Sequence, residues 1–227
     1  MKHDNGMKGD TTTSHTTPDI RAILDRMPYF IEWGQHGWAK LFRRALEDSI
    51  GVDMSGKRVL EIGARYGKVS SLFALLGAEV WASDIGESYL PDALAECRKW
   101  GVEERVHLLY GAASSLDSVD DGSIDLVFTK SVLVLVPDLP AMLGLISRKL
   151  KPGGSVVFIE NAYGNVFYHM LRAYKHRSRK GFKRTHYFSR AELQMIASAF
   201  PMKMQKRTWF PPVCLYTGIK PLHAEKS

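Results

Sequence analysis

From residue 58 onward, short runs rich in Val, Ile and Leu recur along the chain, at 58–62, 79–83, 105–110, 124–129 and 155–160. Each has strand length and is bounded by glycine or polar residues. Between several of them the apolar positions fall at helical spacing, over 68–76, 89–100 and 139–150. Strands alternating with helices predict a parallel sheet with helices on both faces. The 111–123 connection is polar and leaves room only for a short helix. The last two apolar runs, 204–209 and 213–220, are joined across Pro211-Pro212. So short a link predicts an antiparallel hairpin at the sheet edge.

Ahead of the first strand the period is helical. Pro18 and Asp19 open a helix with Ile20, Ile23, Leu24 and Met27 on one face, and Pro28 is expected to break it. A second helix is expected over 30–50, carrying Trp33, Trp38, Leu41, Phe42 and Leu46, with Gly51 at its end. Residues 1–17 are polar and Thr-rich, which predicts a disordered tail. The expected organisation is that tail, a helical cap over 18–55, and an α/β domain over 56–222 interrupted by an insertion at about 161–188. After the insertion, Ser189 followed by Glu192 has the spacing of a capping box, so a helix is expected to start there.

With 227 residues, 45% of them hydrophobic, the chain is long enough for one domain with a sizeable core. Cys97 and Cys214 make neither a disulfide framework nor a metal motif. No signal peptide and no apolar run of about 20 residues is evident, so a cytoplasmic protein is expected. The formal net charge of +7 favours acidic partners, whether small anions, nucleic acid or an anionic membrane face. Eight Lys or Arg residues and no acid lie between Arg172 and Arg190. That run is either a solvated loop or an electrostatic guide for an anionic substrate. Tyr174, Phe182, Tyr187 and Phe188 lie within it and are suited to stacking on bases. No RNA-binding module accompanies them, which makes nucleic acid the weaker alternative.

The stretch VLEIGARYGK, residues 59–68, joins the first strand to the first sheet helix. A dinucleotide fingerprint starting at Gly63 requires glycines at 65 and 68, where Arg65 and Lys68 stand. A P-loop is also absent. What remains is Glu61-x-Gly63-x-x-x-Gly67. Further along stand Asp84 at the end of the second strand, Gly111-Ala112-Ala113 after the third, and Ile124-Asp125-Leu126-Val127 in the fourth. Leu150-Lys151-Pro152-Gly153-Gly154 leads into the fifth. Without a ligand, Gly63 and Gly67 read as turn glycines, Asp84 as a helix N-cap and Asp125 as a strand-orienting residue.

Taken together, residues 56–160 resemble the class I S-adenosylmethionine-dependent methyltransferases. Their first motif is usually D/E-x-G-x-G-x-G, and their third strand is commonly followed by G-D-A. Arg65 and Ala112 depart from those patterns. The resemblance implies a Rossmann-like, seven-stranded, mostly parallel sheet with an antiparallel C-terminal strand. It implies S-adenosyl-L-methionine as cofactor and S-adenosyl-L-homocysteine as product. The implied cofactor residues are Glu61, Gly63, Ala64, Arg65, Gly67, Asp84, Ile85, Ala112, Ala113 and Lys130. Glu61 would orient the loop or meet the cofactor's amino group, the glycines would give backbone access, and Asp84 would hold the ribose. NAD-binding folds place an acid similarly, so Asp84 alone does not separate the two ligands.

The expected reaction is methyl transfer to a small molecule, with a hydroxyl of an anionic sugar or specialised metabolite as acceptor. Such a hydroxyl needs a base, and histidine is poised near neutral pH. His169 and His186 are the candidates, with His36 as a third. Trp33, Asn161, Arg172 and Tyr187 are the expected substrate contacts. Glu160 and Asn161 do not complete a metal-ligand set, so no metal is expected. Aromatic side chains of the N-terminal helices are candidates for a homodimer contact. The competing readings are a small-molecule N-methyltransferase, an RNA methyltransferase and an NAD-linked oxidoreductase.

Overall fold

A computed structural model describes residues 19–31, 36–111, 113–161, 187–209 and 212–222, together with 167, 170 and 174. Among these residues the chain forms one seven-stranded sheet. Its strands are β1 (Arg58–Ile62), β2 (Glu79–Asp84), β3 (Val106–Tyr110), β4 (Ile124–Lys130), β5 (Leu150–Asn161), β6 (Met202–Trp209) and β7 (Pro212–Ile219). They lie in the order β3-β2-β1-β4-β5-β7-β6. The first five pair in parallel, while β7 runs antiparallel to both β5 and β6. The strand order reverses between β1 and β4, and open α/β sheets bind ligands outside the carboxyl ends of their strands at such a point.

The hairpin of β6 and β7 closes one edge of the sheet, as expected, with β6 outermost and β7 between β5 and β6. The reason lies in composition. Pro212–Ile219 is buried almost throughout, whereas Lys203, Gln205, Lys206 and Arg207 of β6 are exposed. The apolar strand goes inside, and the charged strand protects the open edge.

The Leu150–Gly154 segment does more than turn into a strand. The β4–β5 register jumps from Ile124↔Leu150 to Leu126↔Ser155, so residues 151–154 bulge opposite Asp125. The Asp125 carboxylate receives Lys151 Nζ at 2.8 and 2.9 Å and the Arg58 N–H at 2.9 Å. It therefore pins the bulge to the start of β1, consistent with a purely structural role.

Before the sheet, α1 (Ile20–Asp25) is capped by Asp19, which accepts the Arg21 N–H at 3.0 Å. Pro28 does not break a helix. It sits in the first turn of α2 (Met27–Phe30), where a missing N–H costs nothing. The helix expected over 30–50 is correspondingly shorter. Phe30 belongs to α2, α3 spans His36–Ala45, and the last turn Leu46–Ile50 widens to a π-helix ended by Gly51 at φ +87°.

These helices share one core with α4 (Lys68–Leu75), α5 (Leu90–Trp100) and one face of the sheet. Phe42 meets Phe73 and Phe128 with ring centroids 5.6 and 4.8 Å apart, all three fully buried. Phe30 and Trp38 are spent in the same core. Tyr29 donates to Glu96 on α5 at 2.8 Å. The opposite face is covered by α6 (Leu139–Lys149) and α7 (Arg190–Ala199), the latter opened by the Ser189–Glu192 capping box. No helix of the described residues is long and apolar enough to cross a membrane.

Replacing Asp125 with alanine removes three charge-assisted bonds and leaves the Lys151 bulge unpinned. The expected loss is about 1–3 kcal/mol, read from the urea unfolding midpoint.

Candidate cofactor site

The turn after β1 is built by conformation as much as by composition. Gly63 and Gly67 have φ of +84° and +69°, in the region that favours glycine. A Cβ on Gly63 would lie 2.2 Å from Val132 Cγ2, and one on Gly67 would lie 3.2 Å from the Ala93 backbone. Arg65 also has positive φ, +46°. It thus adopts the left-handed backbone that a glycine would provide, at a cost of roughly 1–2 kcal/mol. Several contacts offset that cost. Its N–H donates to Asp84 Oδ2 at 2.9 Å, and its carbonyl accepts the Tyr110 hydroxyl at 2.6 Å. Its guanidinium lies 5.0 Å from the Tyr66 ring and 5.2 Å from the Tyr89 ring.

The use of the loop's donors discriminates between ligands. The N–H groups of Gly63 and Ala64 both go to the Ser83 carbonyl, at 2.7 and 3.0 Å. Arg65 gives its N–H to Asp84, and Gly67 gives its N–H to the Ala64 carbonyl at 2.9 Å. A pyrophosphate is held by open backbone N–H groups, and these four are already spent. What the crevice presents instead is acceptors, the carboxyl groups of Glu61 and Asp84. That chemistry fits a nucleoside bearing cationic sulfonium and ammonium groups, such as S-adenosylmethionine.

Asp84 closes β2 and is 9% exposed. Its second oxygen accepts the Gly86 N–H at 2.8 Å. Each carboxylate oxygen has two lone pairs, so capacity remains for the two hydroxyls of a ribose. Beside it Ile85 is 80% exposed, an apolar surface next to the carboxyl end of β2. Gly111, at φ +112°, gives its N–H to the Asp84 carbonyl at 2.9 Å, and the Glu87 carboxylate lies against it.

Glu61 is buried at the end of β1. Burial pushes its carboxyl up to about 7, while the Ser70 hydroxyl bonded to it and the charge of Lys130 pull down and Asp84 pushes up. Glu160 at the end of β5 is also raised to about 7 by burial, against the pull of backbone N–H groups of the 132–134 turn and the Thr129 hydroxyl.

The fold therefore brings Glu61, Gly63, Ala64, Arg65, Gly67, Asp84, Ile85 and Lys130 to the carboxyl ends of β1, β2 and β4. Ala113 opens a 3-10 turn on the same side, after β3. Asn161 ends β5 and donates to Ser131 Oγ at 3.2 Å. Tyr187 is carried back to that strand end, since the next residue, Phe188, donates its N–H to the Asn161 carbonyl at 3.2 Å. Trp33, Ala112, His169, Arg172 and His186 lie outside the described residues, as does the side chain of His36 at the start of α3. Sequence reading missed Ser70, Tyr66, Tyr89, Tyr110, Ser131 and Val132. The Arg65-Tyr66 pair was a visible signal, but Tyr89 and Tyr110 reach the loop only through the fold. Among the described residues no group of His, Cys, Asp or Glu is placed to hold a metal ion.

Residues 60–158 match the family described as a methyltransferase domain. Over this segment the chain is similar to methyltransferase domains. Over 110 residues the chain is 36% identical to a ubiquinone biosynthesis O-methyltransferase of Xanthomonas oryzae pv. oryzae (strain PXO99A). That match covers 48% of this chain and 44% of the relative, so the chain spans about half the length of the curated relatives it matches. In fold the chain is similar to a SAM-dependent methyltransferase from Aquifex aeolicus, with TM-score 0.60 and 16% identity over 90% of this chain and 98% of the other. It is also similar to geranyl diphosphate C-methyltransferase from Streptomyces coelicolor A3(2), a complex containing S-adenosyl-L-homocysteine. There the TM-score is 0.63 and the identity 13%, over 80% of this chain and 75% of the other.

The two glutamates whose carboxyls are raised, Glu61 and Glu160, set a pH dependence. Each holds a proton in the folded state that an exposed glutamate releases near 4.5. Their stabilising contribution is therefore complete below about 4.5 and lost as pH rises through about 7. The urea midpoint of the unliganded protein is expected to fall between pH 5 and pH 8. In Glu61→Gln that fall is expected to be shallower by at most roughly 3 kcal/mol, since one pKa unit corresponds to about 1.4 kcal/mol.

Proposed function

We propose that this chain is an S-adenosylmethionine-dependent O-methyltransferase acting on a small, hydroxyl-bearing, anionic molecule. The observation that carries the cofactor half of this reading is the loop after β1, where the N–H groups of residues 63, 64, 65 and 67 are spent internally and Asp84 ends the neighbouring strand. Transfer to oxygen is supported by the relatives, which are named for O-methylation in ubiquinone biosynthesis. That name gives no reason to prefer a sugar over other hydroxyl-bearing molecules. The basic run between Arg172 and Arg190 supports a negatively charged acceptor.

When bound, the cofactor supplies an electrophilic methyl group on a sulfonium. The work left to the chain is binding, orientation and removal of one proton from the acceptor. Asp84 accepts from the ribose hydroxyls. Glu61, neutral or ionised within the physiological range, orients the loop through Ser70 and faces the cofactor's amino group. Asn161 and Tyr187, together at the end of β5, orient the acceptor. His169 and His186 are the candidates to take its proton, with His36 as a third.

Calorimetric titration with S-adenosylhomocysteine, run beside NAD, tests the cofactor. Micromolar binding of the former alone is expected. Asp84→Ala should weaken it at least tenfold, because charged hydrogen bonds contribute about 1.5–3 kcal/mol each. Binding of NAD alone sinks the reading. Incubation with methyl-labelled cofactor and a panel of anionic phenols, sugars and amines then tests the acceptor. Label recovered only on amines would reject O-methylation.

A further inference from the structure

The residues that end β5 hold the turn that follows β4, residue by residue. The Ile159 carbonyl accepts the Ser131 N–H at 2.9 Å. Glu160 Oε1 accepts three donors, the Thr129 hydroxyl at 2.9 Å, the Val132 N–H at 3.2 Å and the Leu133 N–H at 3.1 Å. Asn161 Nδ2 donates to Ser131 Oγ. Within this turn Ser131 has φ +56°, so it holds a left-handed backbone that residues other than glycine seldom adopt. Strain of this kind persists only where the surroundings over-determine it.

The turn in turn shapes the loop after β1. Val132 Cγ2 occupies the place a Cβ on Gly63 would need, 2.2 Å away. A path of direct contacts therefore runs from Glu160, through the Val132 amide and side chain, to the glycine at the floor of the cofactor crevice. Glu160 itself is 1% exposed, and its Oε2 has no hydrogen-bond partner among the described residues. It does not reach the crevice, and leaving a carboxyl oxygen buried without a partner is costly. An apolar side chain would fill the site more cheaply but would strand two backbone N–H groups.

We propose that Glu160 is a positioning residue for the cofactor site: by accepting the Val132 and Leu133 N–H groups it fixes the 131–133 turn against Gly63 and so sets the wall between cofactor and acceptor. This rests on the reading of the crevice as an S-adenosylmethionine site. Three donors converge on Oε1 and none on Oε2. Burial raises this carboxyl to about 7 against their pull. Glutamine reproduces its shape and its accepting oxygen, leucine reproduces only its bulk, and aspartate withdraws the acceptor by one methylene.

The test uses the full chain and the variants E160Q, E160L, E160D and V132A. Folding is monitored by urea denaturation, S-adenosylhomocysteine affinity by calorimetry, and the Val132 and Leu133 amides by hydrogen exchange. E160Q is expected to keep affinity within about threefold and to keep both amides protected. E160L is expected to fold, lose amide protection and bind at least tenfold more weakly. If E160L fails to fold, E160D carries the same expectation. The effects of E160L, or of E160D in its place, and of V132A should not multiply in the double variant, because both act through one side chain. Wild-type affinity in folded E160L or E160D, equal losses in E160Q and E160L, or multiplying effects would overturn the proposal. Exchange separates it from the cofactor reading. If the wild type fails to bind S-adenosylhomocysteine, that reading falls, while retained protection in folded E160L or E160D shows independently that Glu160 does not hold the turn.

Discussion

The last two residues of β2 hold together the three turns that make the crevice. The Ser83 carbonyl takes the N–H groups of Gly63 and Ala64, and the Asp84 carboxylate takes those of Arg65 and Gly86. The Asp84 carbonyl takes that of Gly111. The turns after β1, β2 and β3 are thus fixed to one strand end before any ligand arrives. A crevice preorganised in this way does not pay for ordering its loops on binding. It also means that removing the Asp84 carboxylate frees two backbone donors, those of Arg65 and Gly86. The alternative of a simple helix N-cap is replaced by something larger, because the first turn after Asp84 is a Gly86 turn and a 3-10 segment, and the carboxylate reaches across to β1's loop.

The other side of the crevice follows a similar logic with a different donor set. There Glu160 and Asn161 of β5 hold the turn after β4, whose Val132 leans on Gly63. Two carboxyl groups, Glu61 and Glu160, therefore sit buried at the ends of β1 and β5 on either side of β4, and in both burial outweighs hydrogen bonding in setting the proton affinity. Both non-glycine residues with positive φ among those described, Arg65 and Ser131, fall on these two turns. Costly groups and strained backbone are concentrated where the strands end and ordinary packing resumes below. The cavity of about 240 Å³ bounded by Ile50, Lys57, Lys151 and Gly154 lies at the opposite, amino end of β4 and β5, away from this machinery.

Much of the sheet was legible because each central strand is a short apolar run with a polar or glycine boundary. Position 62 ends β1 as expected, and Ser189 with Glu192 caps α7 as expected. The place of β7 was written in the contrast between VCLYTGI and KMQKRTW, but pairing order depends on burial of whole strands rather than on link length. Pro28 was misread because a proline reads as a stop or a start according to where the preceding helix ends, and Arg26 ends it first. The clamp by Asp125 on Lys151 joins residues 26 apart through a register jump, which no local pattern encodes. In the crevice, the residue types at 61, 63, 67 and 84 were readable from spacing. Which N–H groups they leave open was not, because that depends on the partner strand β2. Tyr89 and Tyr110, the last residue of β3, lie more than twenty residues from Arg65 and meet it only once β3, β2 and β1 assemble side by side.

The arginine in the glycine-rich turn shows what each position in such a motif selects. At Gly63 and Gly67 two requirements coincide, a positive φ and the absence of a Cβ, since a methyl group would collide with Val132 or crowd Ala93. No side chain satisfies both. At position 65 positive φ remains, but Arg65 carries its side chain away to Tyr66 and Tyr89. The cost is then conformational alone, roughly 1–2 kcal/mol, and is of the size that two cation–π contacts at about 0.5–1 kcal/mol each and a charged hydrogen bond to Asp84 can offset. In a loop that must admit a pyrophosphate, the same N–H of residue 65 would be needed by the ligand and that hydrogen bond would be forfeited. Because residues 63, 64 and 65 spend their N–H groups on β2, the middle glycine is the one that can be given up, and an arginine can stand there.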